Sequence, residues 1–164
     1  KIGQSRVILE PRTLAKLLDA LDIHNDELVL DIGIGLGYSS AIISLIAEVV
    51  IAVEDDSSLA SEAEEILSEI GVDNVVVQVS KLEEGAPEHG PYDVVILQGG
   101  IEEIPVSILN QLKDGGRIGA IFVEQGLGTA KIGFKLNDKI NWRYSFNAAA
   151  PVLPGFFKQK DFAL

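Results

Sequence analysis

The sequence predicts an α/β chain: a doubly wound, mostly parallel sheet with an antiparallel strand at its end. Three observations carry this. Short continuous apolar runs alternate with segments of helical period, which indicates parallel strands covered on both faces. A glycine-rich turn, "DIGIGLG", follows the first run and leads straight into a helical segment. The last two runs are separated by the turn-forming "NDK", so they run antiparallel to one another.

Pro11 suits the first turn of a helix, and Leu14, Leu17, Leu18 and Leu21 then recur at helical spacing. The run "ELVLDIG" at 27–33 is short, apolar and closed by glycine, which marks a strand. Residues 38–47 read as a largely buried helix, and "VVIAVED" at 49–55 as the second strand. Over 56–70, Leu59, Ala63, Ile66, Leu67 and Ile70 share one helical face with acids opposite, and Gly71 closes the helix. "NVVVQV" at 74–79 and "YDVVILQ" at 92–98 are the third and fourth strands. A short helix over 105–112 stops at Asp114-Gly115-Gly116, ahead of the fifth strand, "RIGAIFV" at 117–123. Two more strands, near 131–135 and 142–146, flank the closing turn. In such a sheet ligands bind beyond the carboxyl ends of the strands. Gly33 to Gly37, Glu54, residues 80–82 and residues 98–100 therefore share one rim.

The 164 residues, 47% of them apolar and without a long linker, are expected to form a single domain spanning 1–164. No apolar run is long enough to cross a bilayer and no basic-then-apolar leader is visible, so a cytoplasmic address is expected. The formal charge of -12 argues against a nucleic-acid partner, whose phosphates it would repel. There is no cysteine, and the two histidines, His24 and His89, lie far apart, so no metal site is expected. A chain that starts at Lys1 and holds no methionine is expected to be a processed or truncated piece.

The dinucleotide fingerprint G-x-G-x-x-G brings a pyrophosphate to a helix N-terminus. Here the spacing is G-x-G-x-G, at Gly33, Gly35 and Gly37, with Asp31 two residues ahead. A carboxylate there is a poor neighbour for a diphosphate and a good one for a cationic ligand. S-adenosylmethionine fits, because it carries a sulfonium and an amino-acid tail but no phosphate, and bare backbone lets it lie close. Glu54, closing the second strand, is placed to accept from both ribose hydroxyls, at roughly 1.5–3 kcal/mol each. Tyr38 and Asp55 adjoin these groups and are counted with them. Two alternatives stand beside this one. Asp31 and Glu54 only cap loops, or the chain is a nicotinamide dehydrogenase, which the glycine spacing and Asp31 disfavour.

Taken together, "EPRTLAKLLDAL", "LVLDIGIGLGYSS", "VEDD", "GVDNVVV", "PYDVVILQGGIEEIP", "LKDGGRIGAI" and the tail "FNAAAPVLPGF" resemble the protein-L-isoaspartate O-methyltransferase family. The likeness is nearest to a divergent bacterial branch with such a tail, and it spans nearly the whole chain. It implies the Rossmann-like class I methyltransferase fold and S-adenosylmethionine as donor. It also implies methylation of the stray carboxylate of isoaspartyl residues, the start of protein repair, with an isoaspartyl protein or peptide as partner. Carried over by position, Asp31 and Gly33 hold the methionine end of the donor, with Gly35 and Gly37 giving it clearance. Glu54 holds the ribose, and Ser80, Lys81 and Leu82 lie beside the adenine. Gln98 stands at the tip of the fourth strand, close to the transferring methyl.

The sequence also departs from the family. Members usually carry a further helical segment at the N-terminus, which this chain is expected to lack. Ahead of the first helix the family has a T-I-S-Q-P-like segment whose serine is tied to catalysis. Here "VILEP" places Leu9 at the serine position and leaves Ser5 off register. Where the family has G-D-G beside the adenine, this chain has Ser80, Lys81 and Leu82, and lysine cannot accept from the adenine amino group. The expected loss is roughly 1–2 kcal/mol. No catalytic side chain is assigned, because a carboxylate acceptor is nucleophilic as it stands and alignment supplies roughly 7–11 kcal/mol. Gln98 either orients an acceptor oxygen or packs with its amide satisfied. Leu9 and Lys81 support a second reading, an impaired relative that keeps the fold and binds another protein. The apolar tail is expected to fold back on the sheet edge rather than offer a partner surface.

Overall fold

The computed structural model describes residues 6–159. Among these, seven strands form one sheet: β1 (Leu28–Ile32), β2 (Val49–Glu54), β3 (Val75–Val79), β4 (Tyr92–Ile101), β5 (Leu112–Glu124), β6 (Leu127–Leu136) and β7 (Lys139–Asn147). Their order across the sheet is β3-β2-β1-β4-β5-β6-β7. The first five are parallel, β6 is antiparallel to β5, and β7 is antiparallel to β6. The strand that runs against the rest is thus β6, one place in from the edge, and β7 closes the sheet. Both hairpins turn on a pair of left-handed residues. Gln125 and Gly126 have φ of 51° and 81°, Asn137 and Asp138 of 51° and 59°. Such pairs match the twist of the flanking strands.

Helix α1 (Pro11–Leu21) starts at its proline and buries Leu14, Leu17 and Leu21. These pack with Val29, Val50, Val94 and Ile96 on one face of the sheet. Helix α3 (Ser57–Glu69) is capped by Asp56, whose carboxylate accepts from the amides of Ser58 at 2.9 Å and Leu59 at 3.2 Å. The opposite sheet face, with Leu30, Ile51, Val95 and Leu97, packs with Ile108, Leu153 and Phe156. Two helices are shorter than their sequence suggests. Helix α2 (Tyr38–Ile43) ends early where Ser44 Oγ donates back to the Ala41 carbonyl at 2.7 Å, competing with the helical ladder. Helix α4 (Val106–Leu109) is a single turn, because β5 already begins at Leu112, paired with Tyr92.

The end of α1 is tied to the sheet by one arginine. Arg117 on β5 donates from Nε to the Leu21 carbonyl at 2.7 Å and from Nη2 to the Asp22 carbonyl at 2.9 Å. Its two terminal nitrogens also meet the two oxygens of Glu27, each at 2.8 Å. Hydrogen bonds from Arg117 hold the Glu27 carboxyl below its ordinary value. Arg117→Ala leaves a mostly buried carboxylate with only the His24 amide, at 2.8 Å, and strips the arginine from two carbonyls, so a loss of about 2–3 kcal/mol is expected in urea unfolding. A carboxyl with a depressed folded pKa stabilises above its unfolded value of 4.5 and loses that contribution as pH falls through the folded one. The gap between wild type and Arg117→Ala should therefore narrow as the unfolding is repeated below pH ~4.5.

Candidate functional site

The site is built on the carboxyl ends of β1, β2 and β4. Asp31 lies in register with Ala52 on β2 and Ile96 on β4. With side chains alternating along each strand, Asp31, Glu54 and Gln98 fall on the same face of the sheet. Between β1 and α2 the loop passes through Gly33 and Gly37, both at φ 83°, a conformation that L side chains rarely adopt. The Gly33 amide donates to the Val53 carbonyl at 2.8 Å, which ties the loop to β2. A Cβ at Gly37 would lie 3.3 Å from Leu67 Cδ1, so α3 closes against this loop.

Asp31 is fully buried and each of its oxygens is engaged. Ser39 Oγ and Ser40 Oγ both donate to Oδ2 at 2.7 Å, and Gln98 Nε2 donates to Oδ1 at 2.6 Å. Burial raises the carboxyl above its ordinary value, and the three hydrogen bonds offset this in part. Asp31 thus fixes the start of α2 and the amide of Gln98 in one buried network. Gln98 does not stand at the tip of its strand as the sequence suggests: β4 runs on to Ile101. The extension has a cause. β1 ends opposite Leu97, so the side of Gly100 not paired with Ile121 is free, and Val152 of the tail bridges to it. The Gly100 amide donates to the Pro151 carbonyl at 2.8 Å and the Leu153 amide to the Gly100 carbonyl at 2.9 Å. The tail does fold back, but onto the end of an inner strand rather than a sheet edge.

Glu54, also fully buried, gathers a larger set of donors. The Gly35 amide donates to Oε2 at 2.7 Å, and the amides of Asp55 and Asp56 donate to Oε1 at 3.1 Å and 3.2 Å. Arg6 completes it: Nη2 donates to Oε2 at 2.7 Å and Nη1 to Oε1, while Nη1 also reaches Asp55 Oδ1 at 2.9 Å. Burial alone would raise the Glu54 carboxyl, but hydrogen bonds and charge from Arg6 outweigh it and the net shift is downward. Asp55 moves the other way, raised by its partial burial and by the neighbouring Glu54. The carboxylate that the sequence offers to a ribose is therefore mated to an arginine.

Other positions fall less close to expectation. Lys81 is exposed and pairs with Glu84 at 3.4 Å. Leu82 is fully buried in the core cluster with Ile51 and Val53, so only its backbone is available to a ligand. The turn 82–85, closed by the Gly85 amide on the Leu82 carbonyl at 3.3 Å, rolls that side chain inward. The Ser80 amide donates to the Glu54 carbonyl at 3.1 Å, which holds this loop against β2. Tyr38 is partly exposed at the start of α2. Leu9 is buried with the α1 leucines and lines, with Gly33, Tyr38 and Gln98, a cavity of only about 10 Å³. Ser5 lies outside the described residues. Three residues that engage the two buried acids escaped the sequence reading: Arg6, Ser39 and Ser40. The serine pair directly after the last glycine and tyrosine was the visible signal for the last two.

The chain has clear relatives. The model of the protein-L-isoaspartate(D-aspartate) O-methyltransferase family matches residues 1–144. A protein-L-isoaspartate O-methyltransferase of Syntrophus aciditrophicus is 37% identical over 117 residues, covering 71% of this chain and 54% of that protein. One of Methanocella arvoryzae is 38% identical over 120 residues, covering 71% and 64%. The chain spans about half the length of the curated relatives it matches. Among solved structures, a protein-L-isoaspartate O-methyltransferase superposes with a TM-score of 0.82 at 25% identity, covering 88% of this chain and 47% of that one. A Plasmodium falciparum structure described as a putative member, in complex with S-adenosyl-L-homocysteine, superposes at 0.76 and 19% identity, covering 93% and 78%. The second likeness concerns the fold alone.

Proposed function

The chain belongs to the protein-L-isoaspartate(D-aspartate) O-methyltransferase family, and on that premise we propose that it binds S-adenosylmethionine and methylates the carboxylate of isoaspartyl residues in proteins. The observation that carries the reading is the pairing of a bare glycine loop with a buried acid at the end of the adjacent strand. Glu54 lies within reach of the loop, as its 2.7 Å hydrogen bond from the Gly35 amide attests. The residues present fit the donor. A buried two-oxygen acceptor suits a ribose diol, and a loop with glycine at every second position suits a close-lying thioether chain.

In this reading Glu54 holds the ribose, with Asp55 at its rim, and the backbone of residues 33–37 lies along the methionine end. Tyr38 walls the pocket at the start of α2, and the backbone of Lys81 and Leu82 borders the adenine. Asp31 and Gln98 act as positioning residues: through Ser39 and Ser40 they fix the loop, and Gln98 is held at the cavity wall. When bound, the donor would supply a methyl carbon made electrophilic by its sulfonium, for a carboxylate oxygen to take with the thioether as leaving group. The chain itself need not move a proton, only align the two groups and exclude water. Leu9 gives the acceptor side an apolar wall with no hydroxyl, so alignment falls to backbone and packing.

The test is transfer of labelled methyl from S-adenosylmethionine to an isoaspartyl peptide, with the same peptide carrying ordinary aspartate as control. Base-labile label in the isoaspartyl peptide alone is the expected result. Equal labelling of both peptides, or of neither, would overturn the acceptor assigned here.

A further inference from the structure

We propose that Arg6 is a built-in competitor for the donor: its guanidinium takes the place of the ribose diol on Glu54, and the donor enters only as Arg6 leaves. The proposal rests on the donor-binding reading above. Arg6 presents two parallel N–H donors to the two oxygens of one carboxylate, the same demand that a vicinal diol makes. An ionised carboxylate has about four lone-pair sites. The amides of Gly35, Asp55 and Asp56 together with the two Arg6 nitrogens already bring five donors. No acceptor capacity is left for two hydroxyls while Arg6 is in place.

The same side chain also covers the glycine loop. Arg6 Nη2 lies 3.5 Å from the position a Gly33 Cβ would take, and Leu153 of the tail stands at 3.5 Å from the other side. Beneath the segment that carries Arg6, the cavity along Leu9, Gly33 and Gln98 is about 10 Å³. That is room for about one water, against roughly 300–1,000 Å³ for a small-molecule site. The arginine and the chain that bears it fill the space as well as the charge.

Release has a ready path. Asp55 already accepts from Arg6 Nη1 at 2.9 Å and its side chain is 31% exposed, whereas that of Glu54 is completely covered. A swing of the guanidinium onto Asp55 alone keeps an ion pair and removes two of the five donors from Glu54, one from each oxygen, which are the places two hydroxyls would take. Donor affinity is then set by the balance between two partners of one arginine, and anything that holds Arg6 on Asp55 raises it.

The experiment is calorimetric titration of S-adenosylhomocysteine into wild type, Arg6→Ala, Arg6→Lys and Glu54→Gln, and into the Arg6→Ala/Glu54→Gln double variant. Thermal melts confirm that each is folded. Arg6→Ala should bind about tenfold tighter than wild type, a shift of ~1.4 kcal/mol. Arg6→Lys, which keeps the charge and loses the fork, should fall between. In the Glu54→Gln background the gain from Arg6→Ala should vanish, since the contested carboxylate is gone. Unchanged or weaker binding by both Arg6 variants overturns the competition and leaves the donor site standing. A gain that persists in the double variant overturns it too, because the effect is then mere removal of bulk. No binding by any folded variant sinks the competition together with the donor reading.

Discussion

Glu54→Ala is expected to lower affinity for S-adenosylhomocysteine by about a hundredfold or more, measured by equilibrium dialysis. Two hydroxyls donating to a buried carboxylate are worth roughly 1.5–3 kcal/mol each, and both are lost together. Glu54→Gln keeps one acceptor oxygen and should lose about tenfold. The ranking matters more than either value. A site that holds the donor mainly by its apolar walls would show Ala and Gln alike and close to wild type. Part of the loss in Glu54→Ala is offset, because Arg6 no longer competes, so the measured drop understates what the carboxylate contributes.

Asp31→Ala is expected to cost about 3 kcal/mol of folding stability in chemical denaturation. Ser39, Ser40 and Gln98 would each keep a buried donor with no partner, and such orphaned groups cost about 1–3 kcal/mol apiece before any water recovers part of it. Asp31→Asn tells the charge apart from the hydrogen bonds. Its amide oxygen still accepts from Gln98, and the serine hydroxyls can rotate to accept from its nitrogen. The Asp31 carboxyl has a raised pKa, because burial disfavours its charge. A group with a raised folded pKa binds more protons folded than unfolded above its ordinary value of 3.8, so wild-type stability falls as pH rises from there through the folded pKa. Asp31→Asn lacks that fall. Its stability relative to wild type should therefore climb across the same window, while Asp31→Ala stays well below both.

The sheet was legible because its strands declare themselves. Continuous apolar runs such as "LVL" and "VVIAV" need cover on both faces, and the closing "NDK" supplies a turn pair that forces a hairpin. The turn at Gln125-Gly126 carried a weaker signal, so β6 begins at Leu127, ahead of the expected 131. At the site, glycine spacing and strand-end acids marked Asp31, Glu54 and the loop between β1 and α2, since each is a local feature at the end of a recognisable strand. Arg6 could not be found that way. It meets Glu54 across 48 positions, and no local pattern records such a pair. Leu82 shows the converse problem: an apolar residue in a loop looks alike whether it faces a ligand or, as here, the core. The tail's path depends on β4 outrunning β1, a difference in strand length that only the folded register reveals.

The most direct test is a crystal structure of this chain with S-adenosylhomocysteine. The prediction is that both oxygens of Glu54 accept from the two ribose hydroxyls at about 2.7 Å, that the amino-acid end lies along residues 33–37, and that Arg6 has left Glu54. A nucleoside bound elsewhere, or one bound with the Arg6–Glu54 pair intact, would contradict the account.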